Sequence, residues 1–390
     1  MDTQPDSQPG PAAELNGFRS DIGEIDRELI DLFNRRMALA RRIAEFKARS
    51  RTAVFDPQRE DEVVKQAVTQ ALPADAIRVG ILLRSLMRLS RGAQYDAILA
   101  AAGDFELGRR IREAPSGLPE LGQIVYQGSA GSYAAQASQR LFPGVPAIQS
   151  ATWEEACRLV QDGQADLAVL PWENSTAGTV DAVYDLLLQH DLLIWRSLSL
   201  PIQHRLLGTN HCSLDGIHTV ISHPQALAQC SDLIRRQGWK VRESLNTAFA
   251  AETVAQTGDP GLAAIASDEA AAAHGLEVIL SDIANSQVNQ TRFIAVGKTL
   301  RVTPDADRVS LVLRLPHRSG SLAATLAVFG DYGLNLNKIQ SRPDLANPWT
   351  YLFYLDFECF GSQLQPMLAT LYQLSREMPL LRFLGWYHEE

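Results

Sequence analysis

Hydrophobic positions fall into three regimes along the chain. From Glu14 to about Gln94 they recur at helical spacing, and Ile22, Ile25, Leu29, Leu32, Leu39 and Ile43 form one stripe of a long amphipathic helix. No Gly or Pro lies between Gly23 and Pro57, so that helix is expected to run for about seven turns or more. Phe55-Asp56-Pro57 breaks it. A shorter helix is expected from about Gln58, and a third from about Asp75 past Gln94 with Leu83 and Met87 on one face. The Gly- and Pro-containing stretch 100–122 reads as a linker. Beyond it, short apolar runs (Ile124–Tyr126, Leu167–Leu170, Thr219–Ile221, Leu262–Ala266) alternate with amphipathic helices, the pattern of an α/β region with parallel strands. From Val309 to Tyr387 the order strand, helix, strand, strand, helix, strand predicts an α+β module of ferredoxin-like type.

The chain of 390 residues has room for about two to four such domains. No apolar run reaches about 18 residues, so no membrane span is expected. Residues 1–13 are rich in Pro, Gln and Gly and lack an apolar signal core, which predicts a disordered tail. Four cysteines lie far apart, without CxxC or zinc spacing, as ordinary thiols in a reducing, cytoplasmic compartment do. A net charge of −9 argues against a nucleic-acid partner. Yet Arg19 to Arg91 holds more Arg and Lys than Asp and Glu, which fits either a local anionic ligand or solvated helix faces.

Arg36 falls in step with Leu32 and Leu39 on the apolar stripe, and Arg19 and Lys47 flank it. Ser90 and Gln94 continue the Leu83–Met87 face, which invites a buried polar cavity. Asp56, Arg59 and Glu60 open the second helix. In this order the set Arg19, Arg36, Lys47, Asp56, Arg59, Glu60, Ser90 and Gln94 resembles the all-helical class of chorismate mutase. The resemblance implies that Arg19 and Arg36 clamp the carboxylates of chorismate and that Lys47 and Gln94 donate to its ether oxygen. Asp56 and Glu60 would hold the ring hydroxyl region, with Arg59 and Ser90 completing the pocket. The residue types suit a pericyclic rearrangement, which needs one reactive conformer and charge stabilisation but no nucleophile, metal or cofactor. Arg19 and Lys47 are roughly 40 Å apart along a straight helix. One ligand cannot touch both, so a two-fold dimer with crossing long helices is expected, matching the family's interlocked dimer.

In the α/β region, Gly128-Ser-Ala-Gly-Ser132 follows a strand and opens a helix. Pro171-Trp-Glu-Asn-Ser-Thr-Ala-Gly178 and Ser222-His-Pro-Gln225 each follow a strand, where loops line ligand crevices, and Thr291-Arg-Phe293 begins another strand. In series these segments resemble the prephenate dehydratase domain, over about 123–298, a fold with two α/β lobes around a cleft. The resemblance implies Thr291 as the group assisting departure of the ring hydroxyl, acting as hydrogen-bond donor or proton relay because a threonine hydroxyl is a poor acid. Asn174, Ser175, Gln225 and Arg292 are the binding candidates, with Arg292 alternatively a structural ion-pair partner. Trp172 stands where the family usually has a small aliphatic residue, which predicts a bulky indole beside the cleft and leaves prephenate or its amino analogue arogenate open as substrate.

Gly320-Ser-Leu-Ala323 and Gln340-Ser-Arg-Pro343 resemble, in altered form, the effector motifs of phenylalanine-binding ACT domains. The implied effector residues are Gly320, Ser321, Leu322, Ser341 and Arg342. The expected architecture is therefore multidomain. An all-α mutase-like domain (14–99) and a linker (100–122) precede a two-lobed α/β dehydratase-like domain (123–298) and an α+β ferredoxin-like ACT module (309–387). It would act on chorismate and prephenate as a homodimer or higher oligomer without metal or cofactor, with phenylalanine as effector and with no membrane or nucleic-acid partner. An arogenate dehydratase, a prephenate decarboxylase that does not aromatise the ring, and a ligand-sensing regulator without turnover are the rival readings. Retention of Thr291 argues against the decarboxylase, and the mutase set together with Thr291 argues against the regulator.

Overall fold

The computed structural model describes residues 11–286, 288–344 and 346–390. Most of the expected tail, residues 1–10, lies outside the described residues, but residues 11–13 already belong to the first helix, α1 (Pro11–Ser50). At 40 residues it is about 60 Å long. It ends at Arg51, whose φ of 54° cannot continue a right-handed helix. In α2 (Pro57–Gln70), Asp56 is the N-cap, its Oδ1 accepting from the Arg59 amide at 3.0 Å. α3 (Ala76–Ala102) stops at Gly103, φ 78°. The stretch expected to be a bare linker contains a short helix, α4 (Glu106–Arg112).

The α/β region follows as β1 (Ile124–Gln127), α5 (Tyr133–Leu141), β2 (Ala147–Ser150), α6 (Trp153–Gln161), β3 (Leu167–Asn174), β4 (Gly178–Thr179), α7 (Asp181–Gln189) and β5 (Leu193–Pro201). The chain then crosses to a second lobe, β6 (Arg205–Gly208), β7 (Thr219–Ser222), α8 (Pro224–Gln229), α9 (Ser231–Gln237), β8 (Lys240–Glu243), α10 (Thr247–Thr257), β9 (Leu262–Ala266), α11 (Asp268–His274) and β10 (Glu277–Leu280). It returns as β11 (Gln290–Gly297). The last stretch is β12 (Arg308–Arg314), α12 (Ser321–Asp331), β13 (Leu336–Pro343), β14 (Tyr351–Glu358), α13 (Leu364–Glu377) and β15 (Leu380–Glu389), the element order read from the sequence.

The chain divides into two compact units. One gathers α1 to α3 with α12 and α13; the other holds the two lobes and β12 to β15. In the second unit a ten-stranded sheet runs β13-β14-β12-β15-β5-β11-β3-β1-β2, with β4 added on β3, and a five-stranded sheet runs β10-β6-β9-β7-β8. The sheets are mixed and not all parallel as expected. β1, β2 and β3 pair parallel, but β11 returns antiparallel between β3 and β5. A strand that comes back from the other lobe arrives from the opposite end, which forces this direction. On β3, Leu167 and Val169 face a core under α5 while Ala168 and Leu170 face one under α6 and α7, the alternation of a strand buried on both faces.

The stripe read on α1 is not its intrachain core. Leu15, Phe18, Ile22, Ile25, Leu29, Leu32, Leu39, Ile43 and Phe46 are 47% to 61% exposed. The face of α1 that packs against α3 is instead the buried line Met37, Ala40 and Ala44.

Candidate active sites

The first unit brings six of the eight helical candidates into one neighbourhood. Arg36 reaches from α1 to α3, where Nη1 donates to the Leu86 carbonyl at 2.7 Å and to Ser90 Oγ. One turn on, Gln94 is buried, donating Nε2 to the Ser90 carbonyl at 3.2 Å, while its Oε1 is buried without a partner among the described residues. Such an orphaned acceptor marks a place where a ligand or water belongs. Lys47 donates to the Val54 carbonyl at 2.8 Å. Burial lowers the pKa of its ammonium, and Asp56 and Glu60 partly offset this. Burial also lowers that of Arg36, again opposed by Glu60. Glu60 thus lies within electrostatic reach of both cations.

Arg59 is not brought in. It is exposed and paired with Glu62 at 3.1 Å, because the third residue of α2 points to solvent where the fourth points to α3. Arg19 is exposed near the far end of α1. Arg91, which no sequence pattern singles out, is buried and meets Glu60 at 2.5 Å.

In the second unit a cleft of about 620 Å³ opens between the two lobes. Thr291, Asn174 and Gln225 all line it. Asn174 Nδ2 donates to Thr291 Oγ1 at 2.9 Å and to Asn289 Oδ1 at 2.7 Å, and Gln225 Nε2 donates to Asn174 Oδ1 at 3.3 Å. With its oxygen accepting from Asn174, the Thr291 hydroxyl is left to donate into the cleft. β3 carries a one-residue bulge against β11: Thr291 pairs with Asn174 and Arg292 with Glu173, but Phe293 pairs with Pro171, leaving Trp172 as the extra residue. A bulge puts two consecutive side chains on one face. Trp172 and Glu173 therefore both turn away from the cleft, and Pro171 and Asn174 both line it.

Three expectations are corrected by this geometry. Trp172 does not stand beside the cleft; it is fully buried beneath it and stacks on Tyr184 with centroids 3.8 Å apart. Arg292, on the β11 face opposite Thr291, does not bind in the cleft. It is 7% exposed and sits among Glu173 (3.1 Å), Glu389 (3.4 Å) and Asp356. Ser175 is exposed, and its hydroxyl accepts from the Gln290 amide at 3.0 Å, tying β3 to β11 instead of lining the cleft.

No Asp, Glu, Lys or Arg lines this cleft among the described residues. In their place the N-caps Ser132, Thr152 and Asn246, of α5, α6 and α10, face it. Helix N-termini offer partial positive charge and free amides to anions. His204 and His223 also line it, and burial lowers the pKa of each, favouring neutral rings. His223 lies within the Ser222-His-Pro-Gln225 segment read from the sequence, whereas His204 and Asn246 carry no signal there, since their roles depend on which loops the two lobes bring together. Among the described residues no group of His, Cys, Asp or Glu is arranged to hold a metal, and no helix is long and apolar enough to cross a membrane.

Of the effector candidates, Gly320 has φ 79° and precedes α12, where Ser321 donates to the Pro316 carbonyl at 2.6 Å and Leu322 is half-buried. Ser341 is exposed on β13. Arg342 is not free for an effector carboxylate as expected: Asp181 and Asp185 of α7 take its guanidinium at 2.6 and 2.8 Å.

A cluster of charged and polar side chains among helices and a neutral cleft between α/β lobes, in one chain, point to the class of enzymes that carry two activities. Residues 18–95 match the model for chorismate mutase type II, and residues 124–300 that for prephenate dehydratase. The bifunctional chorismate mutase/prephenate dehydratase of Enterobacter agglomerans is 30% identical over 389 residues, 97% of this chain and 97% of that protein. The chloroplastic arogenate dehydratase/prephenate dehydratase 1 of Arabidopsis thaliana is 35% identical over 282 residues, 68% of this chain and 71% of that protein. The crystal structure of prephenate dehydratase from Arthrobacter aurescens in complex with L-Phe matches with a TM-score of 0.61 and 30% identity, covering 68% of this chain and 89% of that one. This chain belongs to the bifunctional chorismate mutase/prephenate dehydratase family.

Proposed function

We propose that the chain converts chorismate to prephenate in its helical unit and prephenate to phenylpyruvate in its cleft, as two steps of phenylalanine biosynthesis. The observation that carries the reading is the pair of constellations, Arg36–Ser90–Gln94 beside Lys47 and Glu60, and Thr291–Asn174–Gln225 in the cleft. In the first step cations grip two carboxylates, and Lys47 with Gln94 bears the charge growing on the ether oxygen. For Gln94 this requires its amide to present a donor to the ether, the opposite of the orphaned Oε1 now seen. In the second the ring carboxylate leaves as carbon dioxide and the ring hydroxyl, protonated through Thr291, leaves as water. Aromatisation drives both departures.

Prephenate is favoured over arogenate. Arogenate carries an ammonium group, and among the described residues the cleft lining offers no carboxylate to receive one. The ferredoxin-like order of β12 to β15 with α12 and α13 supports an ACT-type module, and phenylalanine as its effector. The exposed apolar face of α1 supports a dimer in which Arg19 completes the partner's mutase pocket. A cytoplasmic location suits both reactions. Purified protein supplied with chorismate is expected to yield phenylpyruvate. Accumulated prephenate would leave only the first activity, and unchanged chorismate would remove both. Activity is expected to fall on titration with phenylalanine, and a flat response would remove the effector.

A further inference from the structure

Arg91 lies in the interior of the first unit between two carboxylates. Its Nη1 meets Glu60 Oε1 at 2.5 Å, while Nε and Nη2 meet the two oxygens of Glu377 on α13 at 2.8 and 3.3 Å. The side chains of Arg91 and Glu377 are 8% and 4% exposed. The guanidinium also covers the Phe55 ring, 4.6 Å from its centroid, and Gln373 donates to Glu377 at 3.1 Å. Flanking contacts fasten α3 to the same C-terminal helices: Arg88 pairs with Asp331, and the Tyr332 hydroxyl donates to Asp96 at 2.8 Å.

A buried guanidinium held on two sides has little freedom, and it fixes whatever it holds. We infer that Arg91 is a positioning residue for the first reaction, setting Glu60 in the mutase pocket from a seat whose opposite wall is Glu377, so that a helix of the C-terminal module completes the mutase site. The inference rests on the proposed chorismate mutase activity and adds to it a physical link by which the C-terminal module governs that activity. Without Glu377 the guanidinium has one anion left. It then turns fully onto Glu60 and draws that carboxylate out of place.

The full-length chain carrying Glu377→Gln is expected to lose about tenfold in kcat/KM for chorismate, mostly through KM. Dehydratase kinetics on prephenate should stay within about twofold. Glu377→Asp should recover part of the loss, and the pH profile of the mutase should shift in Glu377→Gln because the environment of Glu60 changes. A purely structural clamp would instead lower both activities and the melting temperature together. The double variant Arg91→Met/Glu377→Met removes the buried charges as a pair, a change that cores commonly tolerate. It should keep the dehydratase and show a mutase defect of similar size. Mutase constants and pH profile at wild-type values in folded Glu377→Gln, or wild-type mutase in the double variant, overturn the inference. A wild-type chain that does not convert chorismate overturns the mutase reading itself, and the inference falls with it.

Discussion

Asn174 and Thr291 face each other across β3 and β11, the amide donating to the hydroxyl at 2.9 Å. Their meeting depends on the bulge at Trp172. In an unbroken strand Asn174 would share a face with Trp172, turned toward the core under α6 and α7. The extra residue both buries the indole and returns Asn174 to the cleft.

Thr291→Val keeps the shape and removes the donor. The second reaction should drop by about 100-fold or more in kcat while the first is untouched. Asn174→Ala should cost less, because it removes the group that orients the hydroxyl and leaves the hydroxyl itself. Separate assays with chorismate and with prephenate check both, and a Thr291→Val enzyme that still forms phenylpyruvate at the normal rate would refute the assignment.

Arg36 lies in the pocket of its own chain, whereas Arg19 is expected to serve the partner's. Arg36→Ala and Arg19→Ala should each abolish the first reaction as homodimers. When the two variants are co-assembled, half of the dimers are hybrids, and each hybrid has one pocket with both arginines and one with neither. Roughly a quarter of wild-type mutase activity should return. No recovery on mixing would argue that Arg19 acts within its own chain or not at all.

The helices were legible because their apolar spacing is local, and so was the alternation of strands and helices beyond them. What covers the stripe on α1 was not, since period alone does not distinguish a face packed inside the chain from one left open, as Leu29 and Leu32 are. The cleft was readable as motifs but not as orientation. Thr291 and Arg292 are neighbours in sequence and lie on opposite faces of β11, one in the cleft and one in a buried ion-pair cluster. Arg91 was invisible for a third reason. Its partner Glu377 is far along the chain, and only the packing of α13 brings the two together.

Lys47 gives the first reaction a predictable alkaline limb. Burial lowers the pKa of its ammonium below the ordinary lysine range. In its proposed role as donor to the ether oxygen Lys47 must be protonated, so activity is expected to be complete at lower pH and to be lost as pH rises through that lowered pKa. In Lys47→Arg the guanidinium stays charged. The variant should be slower overall, yet its mutase rate should no longer fall across the same alkaline range. Rate profiles of wild type and variant measured on chorismate decide this, and an identical alkaline limb in both would assign it to another group.

Gly385 is where the C-terminal sheet meets the dehydratase lobe. Just beyond it, β15 pairs parallel with β5 through His388 with Arg196 and Glu389 with Ser197, making one continuous sheet. A Cβ on Gly385 would lie 2.4 Å from the Ile194 carbonyl oxygen. Backbone on that side belongs to a strand hydrogen-bonded to β11, so it cannot step back without disturbing the strand that carries Thr291. Gly385→Ala should therefore destabilise the α/β unit by about 2 kcal/mol, the usual cost of overpacking, which corresponds to a fall of roughly 4–8 °C in its melting temperature. Dehydratase activity should decline at lower temperatures than in the wild type, while the mutase step at 25 °C continues. Thermal melts that coincide with wild type would mean that β15 and β5 part easily and that the continuous sheet does not support the cleft.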